Sequence, residues 1–214
     1  MDLKTQRKWD KASSSFDFLT FGEDHRMGPH KRRLFAKMHG TTLMVAAGTG
    51  KDFRFFPPSQ SIIAIDISTK MLERAAKKAS VYQGKLELRQ ADVCELEFPD
   101  NSFDTVVTVC TFCSVPSPVA GLRELYRVLK PSGQILMFEH VRSRIGPIGI
   151  FLDLMTPLSR MVGPDLNRDT VGNVQKAGFR IRREENIYLD CVKIIEGIKP
   201  DEANRSGSLG KRSV

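Results

Sequence analysis

Five short apolar runs of β character alternate with helix-like stretches between Thr42 and Val141, and this alternation leaves few folds open. The runs are Thr42–Ala46 (TLMVA), Ser61–Ile65 (SIIAI), Lys85–Arg89 (KLELR), Phe103–Cys110 (FDTVVTVC) and Gly133–Val141 (GQILMFEHV). Lys85–Arg89 alternates like a strand with one exposed face, whereas the others are nearly continuous in apolar residues. Between them lie Ser68–Ser80, begun by a serine cap, and Val119–Leu129, ended by Lys130-Pro131-Ser132-Gly133. Proline cannot continue a helix and glycine supplies the turn. Near-continuous apolar strands separated by helices imply a parallel sheet covered on both faces, an α/β fold.

The pattern changes after Val141. Arg142–Asn167 is rich in Gly, Pro, Met and Leu and reads as helical turns and loops. Arg168–Ala177 reads as a helix with Asp169 or Thr170 near its start and Gly178 just past its end. Phe179–Ile187 and Asp190–Ile198 read as two last strands joined by a short turn, an antiparallel pair at the sheet edge. Three divisions follow: a helical segment over 1–40, the α/β domain over 41–200, and a small, polar, basic tail over 201–214 read as disordered. Within the first segment Leu3–Phe18 is amphipathic, with Trp9, Phe16, Phe18 and Leu19 as its apolar members. It reads as a lid, a membrane-surface element or plain packing.

With 214 residues the chain suits one domain with a full core. No apolar run reaches the ~18–20 residues that a spanning helix needs. The start, MDLKTQRKWD, has no apolar stretch of a secretory signal. Cys94, Cys110, Cys113 and Cys191 form no disulfide framework, so a reducing cytoplasm is expected. The net charge of +8 fits either simple solubility or an anionic partner such as a membrane surface, nucleic acid or an acidic substrate. The positive residues gather at Lys4, Arg7, Lys8 and Lys11, at Lys31, Arg32, Arg33 and Lys37, and at Arg180, Arg182 and Arg183.

Three strand ends carry residues suited to a nucleoside. Ala46-Ala47-Gly48-Thr49-Gly50 closes the first run, and glycines at a strand-to-helix turn let the backbone approach a ligand. Asp66 closes the second, about twenty positions on, where a carboxylate can accept both hydroxyls of a ribose. Asp92 follows the third, where it can accept from an exocyclic amine. Each alone is a common loop or turn residue; three at successive strand ends point to one site, since open α/β sheets bind ligands at those ends.

These motifs resemble the class I S-adenosylmethionine-dependent methyltransferases, in the branch of phospholipid N-methyltransferases, ubiquinone/menaquinone C-methyltransferases and thiol methyltransferase-like proteins. LMVAAGTG resembles the glycine-rich motif, AIDIS-TKML the ribose motif, ADVCELEFPDNSFDTVV the adenine turn and fourth strand, and LRELYRVLKPSGQILMFEHV the turn into the fifth strand. The resemblance runs from about Trp9 to about Ile198. It implies a Rossmann-like, doubly wound, seven-stranded sheet of order 3-2-1-4-5-7-6, mostly parallel with the last strand antiparallel. The implied cofactor is S-adenosyl-L-methionine, with S-adenosyl-L-homocysteine as product. By the same resemblance Ala46, Ala47, Gly48 and Gly50 flank the methionine part of the cofactor. Asp66 holds the ribose, with Ile67 and Met71 nearby. Asp92 and Val93 edge the adenine, and Cys110, Thr111 and Phe112 face the sulfonium. Met44 stands where the family usually has an acid and Ala46 where it has a glycine; both changes bear on cofactor affinity.

The resemblance implies a small or lipophilic acceptor, with a phospholipid amine such as phosphatidylethanolamine first. The thiol, the quinone-type carbon, RNA and a non-catalytic cofactor-binding role are the alternatives. No target-base motif or recognition domain accompanies the basic charge, so nucleic acid is not the expected partner. Trp9 and Phe16 belong to the expected acceptor lid. Glu139 and His140 follow the fifth strand and are candidates for taking a proton; His140 can equally be hydrogen-bonded within the fold. The apolar residues of 148–161 can line a lipophilic pocket or form ordinary core. Cys110 and Cys113 have metal-pair spacing without a second pair, and read as strand-end packing.

Overall fold

The computed structural model describes residues 1–19 and 22–201. The expected tail from 202 onward lies outside the described residues. Seven strands form one sheet: β1 (Thr41–Val45), β2 (Ser61–Asp66), β3 (Lys85–Gln90), β4 (Phe103–Val109), β5 (Leu129–His140), β6 (Arg180–Tyr188) and β7 (Val192–Ile198). Their order is β3-β2-β1-β4-β5-β7-β6. The first five are parallel neighbours, and β7 runs antiparallel to both β5 and β6.

The period of two along each central strand divides the core. Leu43, Val106 and Ile135 face one layer, where Leu122 and Leu125 of α5 (Pro118–Val128) and Val174 of α7 (Thr170–Lys176) pack. Met44, Val107 and Leu136 face the other, built from Leu34 and Phe35 of α3 (Glu23–Phe35), Ala75 of α4 (Thr69–Ala79) and Phe53. Both faces are covered, which is why these strands read as continuous apolar runs. Ahead of this core lie α1 (Leu3–Ala12) and the single turn α2 (Phe16–Leu19).

Three local expectations need correction. Gly50 opens no α-helix: it caps a 3-10 helix, Lys51–Phe55, with Pro57 and Pro58 close behind. Arg142–Asn167 is not broken into helical turns and loops, because α6 (Gly146–Val162) runs through most of it without a break. Pro157 removes one amide from this helix, and the Thr156 hydroxyl donates to the Leu152 carbonyl at 2.7 Å beside it. Within the segment read as helical, Glu23–Phe35 forms one helix that includes Pro29; at Gly28 the backbone lies so close to the Phe55 ring that an added Cβ would sit 3.1 Å from it. The turn at Lys130–Gly133 is shorter than expected: α5 ends at Val128, β5 begins at once, and the irregularity is absorbed by a register shift opposite Phe103–Thr105.

Gly50 illustrates why this stretch is fixed. Its φ is +74°, and an added Cβ would lie 2.7 Å from the Phe53 ring and 3.1 Å from the Ala75 backbone. Both the left-handed backbone and the close approach of α4 exclude a side chain. Gly50→Ala should therefore destabilise the protein by about 2 kcal/mol or more, read from the urea midpoint. An unchanged midpoint would mean that the 3-10 turn and α4 are not packed this closely.

Candidate functional site

A cavity of about 600 Å³ opens at the carboxyl ends of β1 to β5 and is covered by α1. Ala46, Ala47 and Gly48 form its β1 wall, and Asp66, Ile67 and Met71 its β2–α4 wall. Asp92 and Val93 line it after β3, Cys110 and Thr111 after β4, and His140 at the end of β5. Trp9 and Phe16 lie at its cover, ring centroids 6.3 Å apart and edge to face. Ala46 holds a φ of +55°, a left-handed conformation that costs a residue with a side chain ~1–2 kcal/mol.

Asp66 is almost wholly buried, and both its oxygens are engaged. Oδ2 accepts from the Gly48 amide and Oδ1 from the Ser68 amide, each at 2.8 Å. Burial pushes its pKa up, against the pull of these two amides. Ser68 caps α4 by accepting from the Met71 amide at 3.1 Å, and its hydroxyl donates to Asp10 Oδ1 at 2.6 Å. Asp10 also accepts from the Lys70 amide at 3.3 Å, so α1 is docked on the N-terminus of α4. A second tie joins α1 to the β3 end: Asp92 Oδ2 accepts from the Asp2 amide at 2.9 Å, while its Oδ1 accepts from Cys94.

Three predicted site residues lie elsewhere. Gly50 packs on Phe53 and Ala75 instead of lining the cavity. The Phe112 ring is fully buried in the core beside Leu122, because the turn after β4 aims it under the sheet end. Glu139 is also fully buried and faces no cavity. Its Oε1 accepts from the Thr108 hydroxyl at 2.7 Å and the Thr111 amide at 3.1 Å, and its Oε2 from the Phe112 amide at 3.1 Å. Burial pushes its carboxyl up to about 7 against these three donors. It braces the cavity wall and is not placed to reach an acceptor.

His140 does line the cavity, and its Nδ1 is buried with no hydrogen-bond partner among the described residues. Burial lowers its pKa, so it is held neutral. Cys113 is buried, its thiol pushed up to about 12, and Sγ donates to the Cys110 carbonyl at 3.1 Å. Two wall residues had no signal in the sequence. Lys31 of α3 and Asp52 of the 3-10 turn form a buried pair at 2.9 Å on the cavity wall. They lie 21 residues apart in sequence, on α3 and on the 3-10 turn, and no local pattern joins them.

A family model described as a methyltransferase domain matches residues 43–137, the span from β1 into β5. A phosphatidylethanolamine N-methyltransferase of Cereibacter sphaeroides is 35% identical over 150 residues, 68% of this chain and 70% of that protein. A demethylmenaquinone methyltransferase of Clavibacter sepedonicus is 34% identical over 90% of this chain and 89% of its own length. The chain belongs to the S-adenosylmethionine-dependent methyltransferases. A thiol S-methyltransferase of Rattus norvegicus is 30% identical over 75% of this chain and 72% of its own, so relatives of this methyltransferase act on unlike acceptors. Among solved structures, an S-adenosylmethionine-dependent methyltransferase of Thermotoga maritima superposes with a TM-score of 0.70 at 18% identity, covering 91% and 99% of the two chains. That likeness shows the fold alone. Met44 of this methyltransferase is buried in the layer beneath the sheet and does not reach the cavity, whereas Ala46 does.

The brace at Glu139 sets a pH dependence. Its folded pKa, about 7, lies above the ordinary 4.5, so its stabilisation is complete below the lower value and is lost as pH rises through the upper. Glu139→Gln should flatten this part of the stability–pH curve, measured by denaturation between about pH 4 and 8. It should also destabilise the acid form by about 1–3 kcal/mol, because an amide NH2 then faces the Phe112 amide. A curve of unchanged slope would place the ionisation elsewhere.

Proposed function

We propose that this cavity binds S-adenosyl-L-methionine and that the protein transfers its methyl group to an amine, releasing S-adenosyl-L-homocysteine. The amine head group of a phospholipid, phosphatidylethanolamine first, is the acceptor class. The residues fit the cofactor by their chemistry. Two carboxylates at successive strand ends, Asp66 and Asp92, can accept from ribose hydroxyls and an exocyclic amine, and Ile67, Met71 and Val93 give flat apolar walls. The volume suits a nucleoside with a short amino-acid chain. When bound, S-adenosylmethionine supplies an electrophilic methyl group.

The neutral imidazole of His140 on the cavity wall carries the amine reading. A primary ammonium must lose a proton before its nitrogen can attack, and a neutral imidazole can accept it. Asp66 fixes the cofactor end by a turn whose amides are already ordered. Trp9 of α1, Phe16 of α2 and the rest of the cover exclude water, which keeps the nucleophile unsolvated and aligned. The phosphatidylethanolamine N-methyltransferase relative supports this acceptor. A cytoplasmic enzyme acting peripherally on a membrane completes the reading, and no described helix is long and apolar enough to cross a membrane.

Trp9 is the sole tryptophan and lies at the cavity, so its fluorescence reports ligand binding directly. Titration with S-adenosylmethionine should saturate, and Asp66→Ala should weaken binding by about a hundredfold. Unaltered affinity in that variant would remove the ribose from this carboxylate.

His140→Gln should leave cofactor affinity within a few-fold and lower kcat on phosphatidylethanolamine by about a hundredfold. The kcat of the natural chain should fall as pH drops through a value below 6.5, where His140 gains its proton, and the variant should lack that limb. Turnover of thiols with no turnover of amines would overturn the acceptor.

A further inference from the structure

The apolar segment that follows β5 turns most of its large side chains outward. Along α6 the buried positions are Gly149, Leu152 and Thr156, one stripe of the helix. The opposite stripe is in solvent: Ile150 is 60% exposed, Phe151 59%, Leu154 74% and Leu158 61%, with Ile145 45% exposed just before the helix. Isolated exposed apolar residues are ordinary, but a continuous helical face of them is not. The segment 142–162 carries three arginines, Arg142, Arg144 and Arg160, against one acid, Asp153, and that acid is paired with Arg142 at 2.7 Å. Arg144 and Arg160 stand at the two ends of the apolar face, 68% and 61% exposed, and pair with Glu184 at 3.5 Å and Asp165 at 2.5 Å.

Both ends of α6 are anchored beside the cavity. His140 lies six residues before it and Pro164 two residues after it, and both line the wall. The C-terminal end also meets α1: Lys8 Nζ donates to the carbonyls of Arg160 and Gly163 at 3.1 and 2.5 Å. Leu3, Lys4, Arg7 and Lys11 form the exposed stripe of α1.

We propose that α6 lies in the surface of an anionic lipid bilayer, its apolar face among the acyl chains and the basic α1 stripe at the phosphates. Charge decides between occupants. Lys4, Arg7 and Lys11 make no ion pair among the described residues, and a second copy seated on this face by a two-fold axis would set two such stripes at one interface. Anionic head groups neutralise them. At 17 residues and with Asp153 and Arg160 in its sequence, α6 is built to lie in an interface and not to cross one. The proposal rests on the lipid-acceptor reading for its purpose, since it presents the cavity wall at His140 to the layer that holds the acceptor.

The test is sedimentation of the full chain with vesicles of phosphatidylcholine alone or with about a quarter phosphatidylglycerol, at low and high salt. Binding to the anionic vesicles should be strong and fall with salt. Phe151→Ser with Leu154→Ser should weaken it by about tenfold or more while Trp9 fluorescence still reports unchanged S-adenosylmethionine binding. A Trp9→Phe, Leu154→Trp chain should be quenched by lipids with brominated acyl chains. Equal binding to both vesicle types, retention in the serine variant, absence of quenching, or a dimer that the serine variant dissociates would each overturn it. Failure of cofactor binding or turnover in the natural chain would remove the methyl-transfer reading and leave the vesicle result standing.

Discussion

Three donors converge on the Glu139 carboxylate from the end of β4 and its turn, and the shape of the cavity depends on that convergence. A buried carboxylate costs several kcal/mol of lost hydration unless its oxygens are met, and each donor returns about 1–3 kcal/mol. The balance leaves the group ionising near neutrality. Its bonds fix Thr111 and Phe112 after Cys110 enters a φ of +48°. The turn can then place Thr111 on the cavity wall and the Phe112 ring in the core. Residues alternate faces along a strand, so the residue after this brace, His140, is delivered to the cavity while Glu139 stays beneath it.

The cover is held by the same economy of carboxylates. Asp10 caps α4 from outside its own helix, taking both the Ser68 hydroxyl and the Lys70 amide. Asp92 accepts the Asp2 amide on Oδ2 and the Cys94 amide on Oδ1, so one carboxylate ties α1 to the turn after β3. Ser68 is wholly buried, so its cap on the Met71 amide is shielded from water and stronger than a surface hydrogen bond.

What was legible in the chain follows from which signals are local. The strands could be read because their faces are both buried, and period and composition agree. The sheet order came from the resemblance and matches the structure, since spacing alone does not order strands. Asp66, Asp92 and Gly48 come to one cavity because a strand end fixes where its next residue stands. Gly50 and Phe112 lie away from it because one residue's rotation in a turn separates a wall from a core. Helix α3 lies in the segment read as helical, but no local signal gave its bounds or its packing on Phe55. The Asp10 cap and the Lys31–Asp52 pair join segments far apart in sequence, and no local pattern announces such a contact.

The basic charge divides once the chain is folded. Arg33, Lys37 and Arg183 pair with Glu185 and Glu196 on β6 and β7, so part of each of two clusters visible in the sequence is matched by acids at the sheet edge. Such exposed pairs contribute only about 0–1 kcal/mol each and leave little field beyond them. The acids of α1 are spent differently: Asp2 caps its own helix and reaches toward β3 through its amide, and Asp10 turns inward to α4. The outer stripe of α1 is therefore left with Lys4, Arg7 and Lys11, while Arg144 and Arg160 at the ends of α6 pair with Glu184 and Asp165. Unpaired positive charge on α1 thus lies beside the C-terminal end of α6, whose apolar face remains in water, and α1 covers the cavity that His140 lines. A long-range field falls off within ~8–10 Å in salt, so charge placed here acts on whatever the mouth faces and on little else.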